Sequence, residues 1–168
     1  IALVSKGDGP RTVLAEARPE IEAYCGDWLR RHLKGYTGMV NFETIGARII
    51  EAHLRFSDQW PDLYGEGWID ALVRLYAERR WDYRDDDRHD GYSVVLFGPH
   101  GQLYWHPNPD LIEELLAHPD ITSIQITFHE DKPPRTHSMP PGGFRLGIIN
   151  CWELAAGLHA RERLALRF

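Results

Sequence analysis

The segment VNFETIGARIIEAHLRF, residues 40–56, decides how the rest of the chain is interpreted. Two runs of alternating polar and apolar residues flank a single glycine, Gly46. Alternation with a period of two is typical of strands, and a glycine between two such runs is typical of a hairpin turn. We therefore predict a β-hairpin with strands near residues 38–45 and 47–55.

The length of the hairpin turn decides which side chains share a face. A three-residue turn over residues 46–48 places Ile45 opposite Ile49 and Glu43 opposite Glu51, and directly opposed residues point to the same side. Strand periodicity adds three polar side chains to that side, Asn41, His53 and Arg55. The other side is the expected core face: Val40, Phe42, Ile50, Ala52 and Leu54. A two-residue turn is the alternative, and it would separate the two glutamates.

Two opposed carboxylates repel each other, so the polar face needs a compensating charge. A divalent cation is one solution, because Mg²⁺ prefers carboxylate oxygens and substrate phosphates. His53 would then be a third ligand or a neighbour of the ligands, and the planar guanidinium of Arg55 would hold a phosphate oxygen. In the plainer interpretation, Arg48 and Arg55 form surface ion pairs with the glutamates and contribute little to stability.

The longer segment GYTGMVNFETIGARIIEAHLRFSDQ, residues 35–59, resembles the metal-binding hairpin of the ATP-grasp enzymes. That family commonly has Gly, an apolar residue, Asn, an apolar residue and Glu or Gln, then a turn, then apolar residues leading into Glu-x-Asn-x-Arg. The first part is matched by Gly38, Asn41 and Glu43, and the second part is occupied by Ile49, Ile50, Glu51, His53 and Arg55. His53 stands where the family usually has Asn, and Leu54 stands where it often has Pro.

The resemblance implies a role for each of these side chains. Glu43 and Glu51, with His53 in the third position, would bind Mg²⁺ that bridges ATP phosphates. Asn41 and Arg55 would help to bind the ATP cofactor. Arg55 would also be the catalytic residue that contacts phosphate or the acyl-phosphate intermediate. The loop that follows would lie near the acceptor substrate, and its alternative is a plain solvated loop: Ser57, Asp58 and Gln59.

The function implied by the resemblance is that of an ATP-dependent carboxylate-amine ligase. ATP would phosphorylate a small-molecule carboxylate, and an amine would then displace the phosphate. Such enzymes also have a lysine-bearing strand and an adenine-contacting hinge upstream of the hairpin, whereas only 37 residues precede Gly38 here. We therefore expect this chain to be the C-terminal portion of a larger protein, and we expect the chain alone not to hydrolyse ATP. The alternatives are a non-catalytic ATP-grasp relative that binds nucleotide or a protein partner, and an unrelated α+β domain with a polar hairpin.

Local patterns along the chain predict a mixed α+β fold, an antiparallel sheet with packed helices. The predicted region is single, residues 1–168, with the hairpin and helices in 1–90 and closing strands and a helix in 91–168. Its segment GGFRLGIINCWELAAGLHARERLALRF, residues 142–168, resembles the closing strand and helix of several ATP-grasp ligases. The predicted strands are 1–5, 92–98, 121–130 and 144–151, beside the hairpin; the predicted helices are 18–35, 68–80, 109–119 and 152–168; and residues 6–10 are a predicted turn.

Composition and charge restrict the classes of partner. The formal net charge is −6, with 19 Lys plus Arg against 25 Asp plus Glu, which argues against a nucleic-acid binder. No segment approaches the ~18 apolar residues of a membrane span, so we expect no membrane partner. The two cysteines, Cys25 and Cys151, suggest a reducing compartment, and we expect a cytoplasmic protein in which both are packing residues. The nine histidines lack zinc-motif spacing, and a homo-oligomer is compatible with the sequence.

Overall fold

The computed structural model of the protein describes residues 2–7, 9–14, 18–56, 61–84, 91–137 and 143–168. These residues form four α-helices and several antiparallel strand pairs, which confirms the predicted α+β class. The chain divides into two compact units. The first contains the described residues from 18 to 84, and the second contains residues 2–14 together with those from 91 to 168.

The first unit carries the hairpin between two helices. Its elements in chain order are α1 (Pro19–His32), β3 (Asn41–Ile45), β4 (Arg48–His53), a 3₁₀ turn (Pro61–Tyr64) and α2 (Trp68–Glu78). Proline suits the first turn of α1 because an N–H there has no partner within the helix, and the acidic residues near the start and basic residues near the end suit the helix dipole. The helix ends at His32 with Leu33 as its C-cap, three residues before Gly35, the residue that the sequence pattern suggests as the cap.

The buried face of α2 differs from the predicted one. Helical spacing puts Ile69, Leu72, Val73 and Tyr76 on one apolar face, which would ordinarily be the buried one, whereas the buried residues are Trp68, Ala71, Leu72 and Leu75. The ring of Trp68 stacks on Tyr64 with centroids 4.2 Å apart and meets Phe56 edge-on. A large aromatic ring contributes more buried apolar area than Ile or Val, so the helix turns Trp68 inward and leaves Ile69 and Val73 exposed.

The second unit is built on a three-stranded antiparallel sheet. The strands are β5 (Tyr92–Gly98), β6 (Ile121–Ile126) and β7 (Phe144–Cys151), in the order β5-β7-β6. Two helices accompany the sheet, α3 (Pro109–Leu116) on β6 and α4 (Leu154–Ala165) on β5 and β7. The observed β5 and β7 have the predicted bounds, whereas β6 ends four residues earlier than predicted.

A further hairpin at the start of the chain is not predicted by the sequence pattern. Strand β1 (Ala2–Gly7) pairs with β2 (Gly9–Leu14), which begins inside the segment predicted as a turn. Gly9 and Pro10 are typical turn residues, but Pro10 opposes Lys6 in the ladder. Proline is tolerated in a strand where its missing N–H is not required by the ladder.

The centre of the second unit is packed tightly around β7 and α4. Ile149 and Cys151 are completely buried, as is predicted for Cys151. Burial raises the pKa of the Cys151 thiol from 9.0 to about 11. A Cβ atom at Gly157 of α4 would lie 2.4 Å from Cys151 Sγ and 3.0 Å from Val94 Cγ2, so a glycine is needed for this close approach of helix and sheet.

Within the described residues, no helix combines the length and the apolar character needed to cross a membrane.

Candidate metal centre

The turn of the central hairpin has two residues, so the predicted three-residue turn is wrong. Ile45 pairs with Arg48, and Gly46 and Ala47 form the turn. Their φ angles are 56° and 61°, in the left-handed region. Two successive residues with positive φ are what a type I′ turn requires, and its twist matches that of the flanking strands.

A β-bulge in β4 compensates for the short turn. Thr44 pairs with Ile49 and Glu43 pairs with Glu51, so Ile50 is an extra residue on the longer strand. A bulge of this kind shifts the register by one residue. The two-residue turn therefore does not separate the glutamates, which face each other as the longer turn would have placed them.

The apolar face of the hairpin is smaller than predicted. Phe42 is half-buried and meets Trp28 of α1 edge-on, with ring centroids 5.3 Å apart. Ile50 and Leu54 are instead 57% and 54% exposed. Ile50 is exposed because it is the bulged residue, and Leu54 because β4 ends one residue before it. The contact between Phe42 and Trp28 holds the hairpin against α1 and leaves the polar face turned outward.

The polar face brings three metal-ligating side chains together. His53 Nε2 lies 3.3 Å from Glu51 Oε1 and 3.7 Å from Glu43 Oε1. One ligand atom from each of the three side chains lies within 4.8 Å of the others. Elsewhere in the described part of the chain, no three His, Cys, Asp or Glu side chains come this close. The candidate metal ligands predicted from the sequence are therefore neighbours in space.

The two carboxylates of this cluster repel each other, and a nearby positive charge would offset the repulsion. The side chains of Glu43 and Glu51 are 56% and 55% exposed, whereas that of His53 is 25% exposed. Solvent and salt weaken the repulsion between the carboxylates without removing it. In the described residues it is His53, and not Arg48 or Arg55, that lies within 4 Å of both glutamate carboxylates. Either a proton on the imidazole or a bound cation would offset the repulsion.

The other predicted site residues lie in different places along the hairpin and beyond it. Asn41 lies directly opposite His53 and is half-buried on the same face. Arg55 lies beyond the end of β4, is exposed, and donates from Nη1 to the carbonyl oxygen of Phe56 at 3.0 Å. Its position beside the carboxylates stays a prediction, because strand periodicity no longer applies there. The loop residues Ser57, Asp58 and Gln59 lie outside the described residues.

Two tyrosines that the sequence pattern did not indicate position the base of the hairpin. The hydroxyl of Tyr36 lies 3.1 Å from the carbonyl oxygen of Met39 and 3.2 Å from that of Leu54, so it spans the two ends of the hairpin. The hydroxyl of Tyr76 accepts a hydrogen bond from the Met39 N–H at 3.1 Å. Burial, followed by the hydrogen bond and the charge of Tyr76, raises the pKa of Tyr36.

The same contacts explain one glycine of the segment. Gly38 has a φ of 157°, and a Cβ atom there would lie 2.5 Å from the hydroxyl oxygen of Tyr36. The absence of a side chain lets the tyrosine reach both ends of the hairpin. A tyrosine five residues before a strand carries no periodic signal, so only the tertiary contact identifies this role.

Comparison of the chain with protein-family models, with curated proteins and with solved structures finds no match.

Proposed function

We propose that the polar face of the hairpin binds a divalent cation, and that this chain is the ATP- and Mg²⁺-binding portion of an ATP-dependent carboxylate-amine ligase. One observation carries the proposal: Glu43 faces Glu51 across the hairpin, and His53 Nε2 lies within 3.7 Å of a carboxylate oxygen of each. Two like charges held directly opposite each other destabilise a hairpin unless something compensates for them. A bound ion with two positive charges would offset the repulsion between the carboxylates of Glu43 and Glu51.

The donor set is suited to a divalent cation. Carboxylate oxygens are the ligands that Mg²⁺ takes from proteins, usually one or two at a time, with water and phosphate oxygens completing the octahedron. Glu43 and Glu51 satisfy that requirement, and their exposure leaves room for phosphate oxygens and water. A cation bound there would neutralise charge on the phosphates of ATP.

The remaining residues would act on the substrate through their own chemistry. The amide of Asn41, beside the carboxylates, offers both a donor and an acceptor to a phosphate or a bound water. The guanidinium of Arg55 is planar and matches phosphate or acyl-phosphate oxygens in a bidentate way. The substrates would be a small-molecule carboxylate and an amine, and the pocket that selects them is the part of such enzymes that varies most with function.

Isothermal titration calorimetry on the 168-residue chain tests the proposal. Mg²⁺ is titrated alone and then with a non-hydrolysable ATP analogue. Glu51→Gln should weaken metal binding at least about tenfold, since a charged ligand is lost. Glu66→Gln is the matched control, because Glu66 is exposed and lies outside the hairpin.

The outcomes separate the two parts of the proposal. Wild-type protein that takes up no metal, or a Glu66→Gln chain that loses as much affinity as Glu51→Gln, refutes the cation site. Metal binding that the ATP analogue leaves unchanged keeps the cation site and refutes the assignment of this chain as the ATP-binding portion.

A further inference from the structure

We infer that this site selects a first-row transition-metal dication, with Mn²⁺ as the representative ion, over Mg²⁺, and that His53 determines the selectivity. The inference rests on the proposed cation site and goes beyond it by naming the class of metal. Its basis is that the third ligand atom of the cluster is an imidazole nitrogen, whereas the other two are carboxylate oxygens.

The chemistry of the third donor decides between the two classes of ion. Mg²⁺ binds oxygen ligands in a strict octahedron and keeps several of its waters. Imidazole nitrogen suits ions such as Fe²⁺, Ni²⁺, Cu²⁺ and Zn²⁺, and the affinity of a mixed nitrogen and oxygen site rises along the series that begins with Mn²⁺ and ends with Cu²⁺. Mn²⁺ also accepts carboxylate and water ligands, so it can use all three side chains. Mg²⁺ would use the two carboxylates and gain little from the histidine.

The placement of His53 makes its nitrogen available to a bound ion. The ring is the most buried of the three side chains, and its residue pairs with Asn41 in the ladder. A partly buried ring has less rotamer freedom left to lose when it binds than a fully exposed ring. Because Nε2 already lies near both carboxylates, an ion held by the glutamates would have this nitrogen within reach.

A rival role for the same ring is that of a proton-dependent partner for the glutamates. At 3.3 Å from Glu51 Oε1, the ring can donate a hydrogen bond or, when protonated, form an ion pair. In that role the histidine would compete with a metal ion for the carboxylates instead of binding it. The two roles predict opposite effects of replacing the imidazole, so a substitution distinguishes them.

The experiment compares the affinities of two ions for three proteins. Mn²⁺ binding is measured by electron paramagnetic resonance, which reports the free aqua ion, and Mg²⁺ binding by its competition with Mn²⁺. For the wild-type chain we expect a Kd for Mn²⁺ at least about tenfold lower than that for Mg²⁺. His53→Asn should raise the Kd for Mn²⁺ about tenfold and leave that for Mg²⁺ nearly unchanged. The control His100→Asn, at an exposed histidine of the second unit, should change neither value.

The readout is the ratio of the two dissociation constants, because Mn²⁺ binds more tightly than Mg²⁺ to many oxygen sites. A ratio that is the same in wild type and His53→Asn overturns the inference while leaving the cation site intact. Tighter binding of both ions by His53→Asn also overturns it and establishes the rival role. A wild-type chain that binds neither ion refutes the proposed function itself, which keeps the two failures distinct.

Discussion

Replacing Glu51 by glutamine should stabilise the hairpin without metal and destabilise it, relative to wild type, with metal. The substitution keeps the size of the side chain and removes one of two opposed charges. Two unit charges at the observed limit of 4.8 Å repel by about 0.9 kcal/mol in a medium as polar as water. Physiological salt, with a Debye length of about 8 Å, reduces this to roughly half. Part of the gain is offset by the lost contact between Glu51 and His53.

The expected net effect in metal-free buffer is a gain of a few tenths of a kcal/mol in the free energy of opening the hairpin. With Mn²⁺ at about 100 times the wild-type Kd, the wild-type protein gains about 2.7 kcal/mol from binding. The variant, which has lost a charged ligand, gains much less. The order of stability of the two proteins should therefore reverse when metal is added.

Hydrogen exchange of the hairpin amides, residues 41–53, measures this local opening directly. The rates are compared for wild type, Glu51→Gln and the control Glu66→Gln, each with and without Mn²⁺. Faster exchange of Glu51→Gln in metal-free buffer would show that the lost contact with His53 outweighs the relieved repulsion, and would refute the predicted gain in stability. Equal protection of wild type and Glu51→Gln by Mn²⁺ would refute the role of Glu51 as a ligand.

Three further predictions concern single groups. Gly157→Ala should lower the free energy of unfolding by ~1–3 kcal/mol in urea titrations, because its Cβ would lie 2.4 Å from Cys151 Sγ and this clash outweighs the helix preference of alanine. Adding Cys151→Ala should recover part of the loss, and a single variant that is more stable than wild type would contradict this packing. Because burial raises the pKa of Cys151 to about 11 in the folded protein, the unfolded chain loses this proton at lower pH, and the free energy of unfolding should fall as pH rises from 9.0 to about 11. The urea midpoint of Cys151→Ala should lack this part of the fall, and midpoints of the two proteins that fall in parallel with pH would contradict the prediction. Metal affinity should weaken as the buffer is made more acidic because protons compete with the metal for its ligands, and calorimetry should find a smaller change for His53→Asn, whereas an equal change would exclude His53 as a ligand.

Elements with strong local signals could be predicted from the sequence. Strands β5 and β7 begin and end where their apolar runs do, at the bounds Tyr92–Gly98 and Phe144–Cys151. The start of α1 follows from Pro19 and the acidic residues of its first turn. These signals arise from backbone geometry and neighbouring residues, so they do not depend on distant contacts.

The errors lie where a side-chain contact outweighs the preference indicated by apolar periodicity. Apolar periodicity favours a buried face on α2 that contains Ile69 and Val73, but the stacking of Trp68 on Tyr64 turns a different face inward. The position of Tyr36 between the two ends of the hairpin depends on residues 18 positions apart. The Tyr36 contact lies outside any local sequence window, and the stacking of Trp68 on Tyr64, although only four residues apart, has no signal in the apolar periodicity.

The sequence by itself determined that Glu51 and His53 share one face of a strand, because the period of two is a property of the extended backbone. Whether Glu43 joins them depends on the register between two strands, and a slip of one residue would move it to the other face. The register results from two compensating features, a two-residue turn and a bulge at Ile50. Only the tertiary structure decided both, because the bulge depends on how β4 pairs with β3 while Phe42 packs on Trp28 of α1.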